Sequence, residues 1–169
     1  MSRGVSSCAL PWRPIRFVDT FVMTLTIVFE TIKQLEKPPN MKLGYVILYV
    51  PDVAAAVAFY ENAFGVERRF LHESGQYAEM ETGATALAFA NEDMVSTTSH
   101  GFRRNRLSDP SAGAEVAFVT SDVPADFKRA VEAGAQPVVQ PTSKPWGQVV
   151  SYVRDMNGFL IEICSEISS

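Results

Sequence analysis

Leu43-Gly44-Tyr45-Val46-Ile47-Leu48-Tyr49-Val50-Pro51-Asp52-Val53 and Ala114-Glu115-Val116-Ala117-Phe118-Val119-Thr120-Ser121-Asp122-Val123 are the two stretches that decide the fold. The first is a β-branched and aromatic run that reads as a strand buried on both faces. Ala114–Thr120 reads as its counterpart. An aspartate follows each run, placed to cap a helix through its carboxylate. After Asp52, Val53, Val57, Tyr60 and Phe64 recur at helical spacing, and Gly65 supplies a left-handed stop. The second helix runs to Ala133 and stops at Gly134. Asp52 to Asp122 is a shift of 70 residues and Gly65 to Gly134 one of 69, which marks an internal repeat.

Each copy continues with three extended stretches. In the first these are Val66–His72, Gln76–Thr82 and Ala84–Ala90, with turns at Ser74-Gly75 and Gly83. In the second they are Val138–Gln140, Gln148–Arg154 and Phe159–Cys164, the last two joined by Met156-Asn157-Gly158, a hairpin signal. The expected architecture is α+β: two β-α-β-β-β modules, residues 41–91 and 114–166, joined by a polar linker at 92–113.

The chain has 169 residues, is 47% hydrophobic and 20% charged, and carries a net charge of −4. That composition suits one domain or two small ones and excludes collagen, disorder and a disulfide scaffold. An acidic chain offers no footprint for nucleic acid or an anionic membrane. Cys8 and Cys164 form neither a metal spacing nor a redox pair, so a cytoplasmic setting is expected. Residues 1–40 hold five basic and three acidic groups, leaving ten basic and sixteen acidic groups after them. Their apolar stretch from Phe21 to Phe29 is too short to span a bilayer, and Asp19 argues against a secretory signal. Residues 1–40 are therefore expected to be an extension, with Met41 as the natural start.

The repeat and its motifs resemble the vicinal oxygen chelate superfamily of glyoxalases, bleomycin-resistance proteins and dioxygenases. The resemblance spans about 41–166. It rests on Val50-Pro51-Asp52-Val53, Phe59-Tyr60 with Phe64-Gly65, Ala133-Gly134-Ala135, Pro145-Trp146-Gly147 and Arg154-Asp155-Met156-Asn157-Gly158-Phe159-Leu160-Ile161-Glu162-Ile163. It implies paired four-stranded sheets around a cup-shaped cavity, and a homodimer as an expected assembly. In metal-using members the ligands, His and Glu, come from the first and fourth strands of each module. The matching positions here are Tyr45, Ala88, Glu115 and Glu162, of which only Glu162 keeps the family's residue. Ring-cleaving dioxygenase chemistry is disfavoured by that set. His72 and His100 fall outside it and read as solvated or structural.

Period-two alternation puts Tyr45, Ile47 and Tyr49 on one face, Glu115, Ala117 and Val119 on the matching face of the repeat, and Leu160 with Glu162. Two carboxylates sharing a partly apolar cavity repel, so one has a raised pKa. Glu162, Glu115 and Tyr45 are accordingly the catalytic candidates, with a carboxylate as base and Tyr45 as donor. Glu162 and Glu115 are also the candidate ligands for a divalent ion, the one cofactor considered. Tyr49, Ala88, Trp146 and Arg154 are candidates for ligand binding. Arg103, Arg104 and Arg106 read as a solvated loop, with docking of an anion as the alternative. Two functions stay open at this stage. One is a small-molecule binder, whose acidic pocket would attract amine-bearing compounds. The other is a lactoylglutathione-lyase-like enzyme using Glu162 as base, with an atypical metal or none.

Overall fold

The computed structural model describes residues 28–30, 40–98 and 100–167. The chain divides into two units, Met1–Lys42 and Leu43–Ser169. Of the first, Val28–Glu30 form a helical turn. Cys8, the start of the Phe21–Phe29 stretch and Lys37–Pro39 lie outside the described residues.

The second unit is the duplicated fold. Module one comprises β1 (Tyr45–Val50), α1 (Val53–Phe64), β2 (Arg68–Leu71), β3 (Tyr77–Met80) and β4 (Ala86–Asn91). A short helix α2 (Glu92–Ser96) follows. Module two comprises β5 (Glu115–Val119), α3 (Val123–Glu132), β6 (Gln136–Ser143), β7 (Val149–Arg154) and β8 (Leu160–Cys164). Each module forms a four-stranded sheet, in the orders β1-β4-β3-β2 and β5-β8-β7-β6. The pairs β1–β4 and β5–β8 are parallel and the remaining pairs antiparallel.

The local signals act as expected. Asp52 Oδ1 accepts from the Ala55 N–H and Asp122 Oδ1 from the Ala125 N–H, each satisfying an orphan donor of a first turn. Gly65 ends α1 at φ 68°, a conformation that glycine enters without a Cβ clash. The turn between β7 and β8 departs from the simple Asn-Gly form. Only Gly158 has positive φ, and Asp155 organises the turn by accepting from the Asn157 and Phe159 N–H groups through Oδ1.

Both modules bury apolar side chains in one common core. Tyr60 is fully buried, donates to Asp155 Oδ2 at 3.0 Å, and meets Phe89 and Phe118 edge-on. Phe64 stacks on Phe118, with ring centroids 5.1 Å apart. Arg129 Nε donates to the Ala63 carbonyl at the end of α1. These contacts bind the two modules to each other through their helices.

Two expectations need correcting. Among the described residues β1 is an edge strand paired only with β4, and Tyr45, Val46 and Ile47 are exposed rather than buried on both faces. A strand run records apolar character, and the number of neighbours is settled by topology. The linker is also no solvated loop throughout. Asn91 Oδ1 caps α2, and the fully buried Glu92 accepts from Arg104 Nη1 at 2.7 Å and from Arg106 Nη1 and Nη2 at 2.7 and 2.8 Å. Arg154 Nη2 then grips the Arg106 carbonyl at 2.8 Å. Gly158 is required at this crossing, because a Cβ there would lie 2.6 Å from Arg106 backbone atoms.

The Arg106 and Arg104 hydrogen bonds hold the Glu92 carboxyl below its ordinary pKa of 4.5, against the opposing pull of burial. A depressed carboxyl stabilises the fold above its unfolded pKa and loses that contribution as the pH falls through its folded pKa. Glu92→Gln is expected to cost about 3 kcal/mol in urea unfolding at pH 7. The difference from wild type should shrink as the pH drops below 4.5.

Candidate functional site

Among the described residues β5 sits at the edge of its sheet, paired only with β8. The Thr120 N–H donates to the Cys164 carbonyl, so the backbone groups of Val116, Phe118 and Thr120 face β8. By alternation the N–H and C=O groups of Glu115, Ala117 and Val119 face the open side. A cleft of about 630 Å³ lies there, lined by every residue from Glu115 to Thr120. Only a strand seen edge-on contributes consecutive residues from both of its faces. Phe64, Val66, Leu87 and Ile163 form apolar wall, and Val46 is the one residue of β1 that lines it. The cleft thus lies between the modules and reaches their helical side, where Asp126 and Arg129 of α3 border it.

Its charges are mostly balanced by neighbours. Glu81 receives Arg69 Nε at 2.8 Å and Nη2 at 2.6 Å, and these bonds lower its pKa to about 2. Asp126 pairs with Arg129. Glu115 has no basic partner among the described residues. Glu115 is exposed, yet partial desolvation raises its pKa, and the neighbouring Glu162 carboxyl adds to the shift through a hydrogen bond and like-charge repulsion. Glu162 in turn accepts from the Tyr152 hydroxyl at 3.1 Å. The Tyr152 phenol is pushed up to about 12 by burial and by Glu162, so it stays a donor. Cys164, in the same cluster, is raised to about 11, first by burial and then by Glu162, and remains a thiol at neutral pH.

The sequence candidates therefore separate. Glu115 and Glu162 meet, as alternation and the parallel register imply. Glu115 lines the cleft, whereas Glu162 and Tyr45 are not among its lining residues. Tyr45 lies on module one, within electrostatic reach of Arg69 and Tyr77. Tyr49 packs edge-on against Phe102, at 5.0 Å between centroids. Ala88 is fully buried. Trp146 stands 55% exposed on the β6–β7 connection, and its Nε1 donates to Gln148 Oε1. Arg154 spends its donors on the carbonyls of Gly158, Leu107 and Arg106, which makes it a tie between linker and hairpin. His72 and His100 interact with Ser74 and Thr98 beside them in sequence.

Two polar groups escaped the sequence reading. Tyr152 pairs directly with Glu162 across β7 and β8, which a register alignment of the hairpin would have revealed. Tyr77 donates to Glu79 at 3.1 Å, a second phenol–carboxyl pair on module one. Among the described residues no three His, Cys, Asp or Glu side chains assemble as a metal site. Glu115 and Glu162 supply oxygen donors alone, which is not the nitrogen-containing set that suits zinc or nickel.

A duplicated β-α-β-β-β fold with a polar cluster on its second sheet defines a class of small mixed-sheet proteins. The profile of the Glyoxalase/Bleomycin resistance protein/Dioxygenase superfamily matches residues 42–163, and the chain belongs to that superfamily. Solved structures agree. A glyoxalase-related enzyme from Fulvimarina pelagi superposes with a TM-score of 0.64 at 21% identity, covering 75% of this chain and 89% of that one. TioX from Micromonospora sp. ML1 gives 0.60 at 25% identity, covering 74% and 98%. A glyoxalase/bleomycin resistance protein/dioxygenase from Nocardioides gives 0.62 at 17% identity, covering 86% and 95%. No curated protein matches the chain. No helix among the described residues is long and apolar enough to cross a membrane.

If Glu162 raises the Glu115 pKa as the geometry requires, Glu162→Gln should lower the Glu115 titration midpoint in carboxyl-detected NMR. An unmoved midpoint would show that the two carboxyls do not share a proton.

Proposed function

We propose that this protein binds a small amine-bearing molecule with an apolar body in the cleft between its modules, Glu115 supplying the counter-charge. One observation carries the reading: among the described residues Glu115 is the cleft carboxyl without a basic partner, and it shares the cleft lining with the stacked Phe64 and Phe118. The cleft volume of 630 Å³ falls within the range of ligand sites, roughly 300–1,000 Å³. An ammonium group arriving at Glu115 favours the ionised carboxylate and offsets its repulsion from Glu162. The apolar wall accommodates the remainder of the molecule by removing its surface from water. Tyr152 keeps Glu162 oriented behind Glu115 by its hydrogen bond.

This assigns the superfamily fold a binding role in which no metal step is needed. Lyase chemistry with Glu162 as base has less to support it, since Glu162 lies outside the cleft lining. The test is an NMR titration with 2-phenylethylamine against its neutral isostere 2-phenylethanol. The amine is expected to bind more tightly, and Glu115→Gln to weaken it by about tenfold, the loss of a charge-assisted hydrogen bond. Equal binding of amine and alcohol, or an unaffected Glu115→Gln variant, would defeat the proposal.

A further inference from the structure

Among the described residues, the side of the cleft formed by β5 is the unpaired edge of a strand. By alternation Glu115, Ala117 and Val119 each turn an N–H and a C=O toward it, and among the described residues β5 hydrogen-bonds only to β8. Backbone groups in a partly apolar groove cost free energy when a ligand displaces their water without replacing the hydrogen bonds. A purely hydrocarbon amine would incur that cost. A molecule with its own alternating amide donors and acceptors would recover it, as a strand added to a sheet edge does.

From these groups we infer that the ligand is peptide-like: a short extended chain of trans amides with a free amino terminus, paired along β5 with its ammonium at Glu115. This rests on the binding function proposed above and narrows its ligand class. Three further features fit. β5 is five residues long, and at ~3.3 Å per residue its edge matches a tetra- or pentapeptide. The side chains of such a strand alternate, so one set reaches the wall of Phe64, Phe118 and Leu87 while the other faces outward. Arg129 is fixed by Asp126 through Nη1 and by the Ala63 carbonyl through Nε, and its Nη2 has no acceptor among the described residues. That donor can take an amide carbonyl or a terminal carboxylate.

The experiment uses the full chain and four forms of one probe: Ala-Val-Ala-Val amide with a free amino terminus, its N-acetyl form, and two forms N-methylated at alternate backbone positions. A strand on β5 presents one alternate set of its N–H groups to the edge and the other to solvent. One N-methylated form should therefore bind roughly tenfold more weakly than the parent, and the other should bind like it. The parent should shift and protect the Ala117 and Val119 amides in NMR spectra and hydrogen exchange, and acetylation should weaken it as Glu115→Gln does. If both N-methylated forms bind like the parent, or 2-phenylethylamine binds as tightly as the peptide, the peptide inference falls while the amine site stands. If 2-phenylethylamine fails to bind as well, the function proposed above falls with it. Ala117 and Val119 amides already protected in a sedimenting dimer, and unmoved by peptide, would assign this edge to a second copy of the chain and overturn the inference.

Discussion

Tyr60 and Phe64 reach from the helix of one module into the core of the other, and the position of the cleft depends on that contact. Tyr60 is fully buried against Phe89 and Phe118, and its hydroxyl is satisfied by Asp155 in the β7–β8 turn. Phe64 lies flat on Phe118. A buried hydroxyl without an acceptor would cost about 1–3 kcal/mol, so the Asp155 bond makes the aromatic contact specific as well as apolar. Asp155 is itself raised in pKa by burial, yet the Tyr60 hydroxyl and the N–H groups of Phe159 and Asn157, which donate to it, act in the opposite sense. The arrangement holds Phe118, and with it β5, at a fixed place beside module one.

Electrostatics divide the molecule into structural and available charge. Glu92 is surrounded by Arg104 and Arg106, Glu81 by Arg69, and Asp126 by Arg129. The first two tie separate segments together, and the third lies within α3. Glu115 and Glu162 have each other and Tyr152 instead. Like-charge repulsion from Glu162, with no cation beside Glu115 among the described residues, favours the protonated form of the Glu115 carboxyl, and an arriving ammonium would reverse that preference.

Much of the fold was legible because its signals are local. Asp52 and Asp122 cap the helices whose starts they mark, and Gly65 adopts the left-handed conformation its position suggested. Alternation along two parallel partners also foretold that Glu115 and Glu162 would meet, since strand face follows from sequence parity. What was illegible depends on which surfaces come together. Tyr45 occupies the repeat position of Glu115, yet its neighbours are Arg69 and Tyr77 on its own sheet. The exposure of β1 goes with its having one strand neighbour among the described residues, which apolar composition cannot report. Arg104 and Arg106 read as solvated because their partner, Glu92, looks like an ordinary surface acid until the linker folds over it.

In the proposed binding mode the ligand's ammonium group takes the place of a proton on Glu115. Isothermal titration calorimetry of 2-phenylethylamine at one pH, in two buffers of different ionisation enthalpy, counts the protons displaced. Fractional proton release at mildly acidic pH that disappears in Glu115→Gln is expected; binding with no proton release from the wild-type protein would contradict a role for Glu115 as the counter-charge.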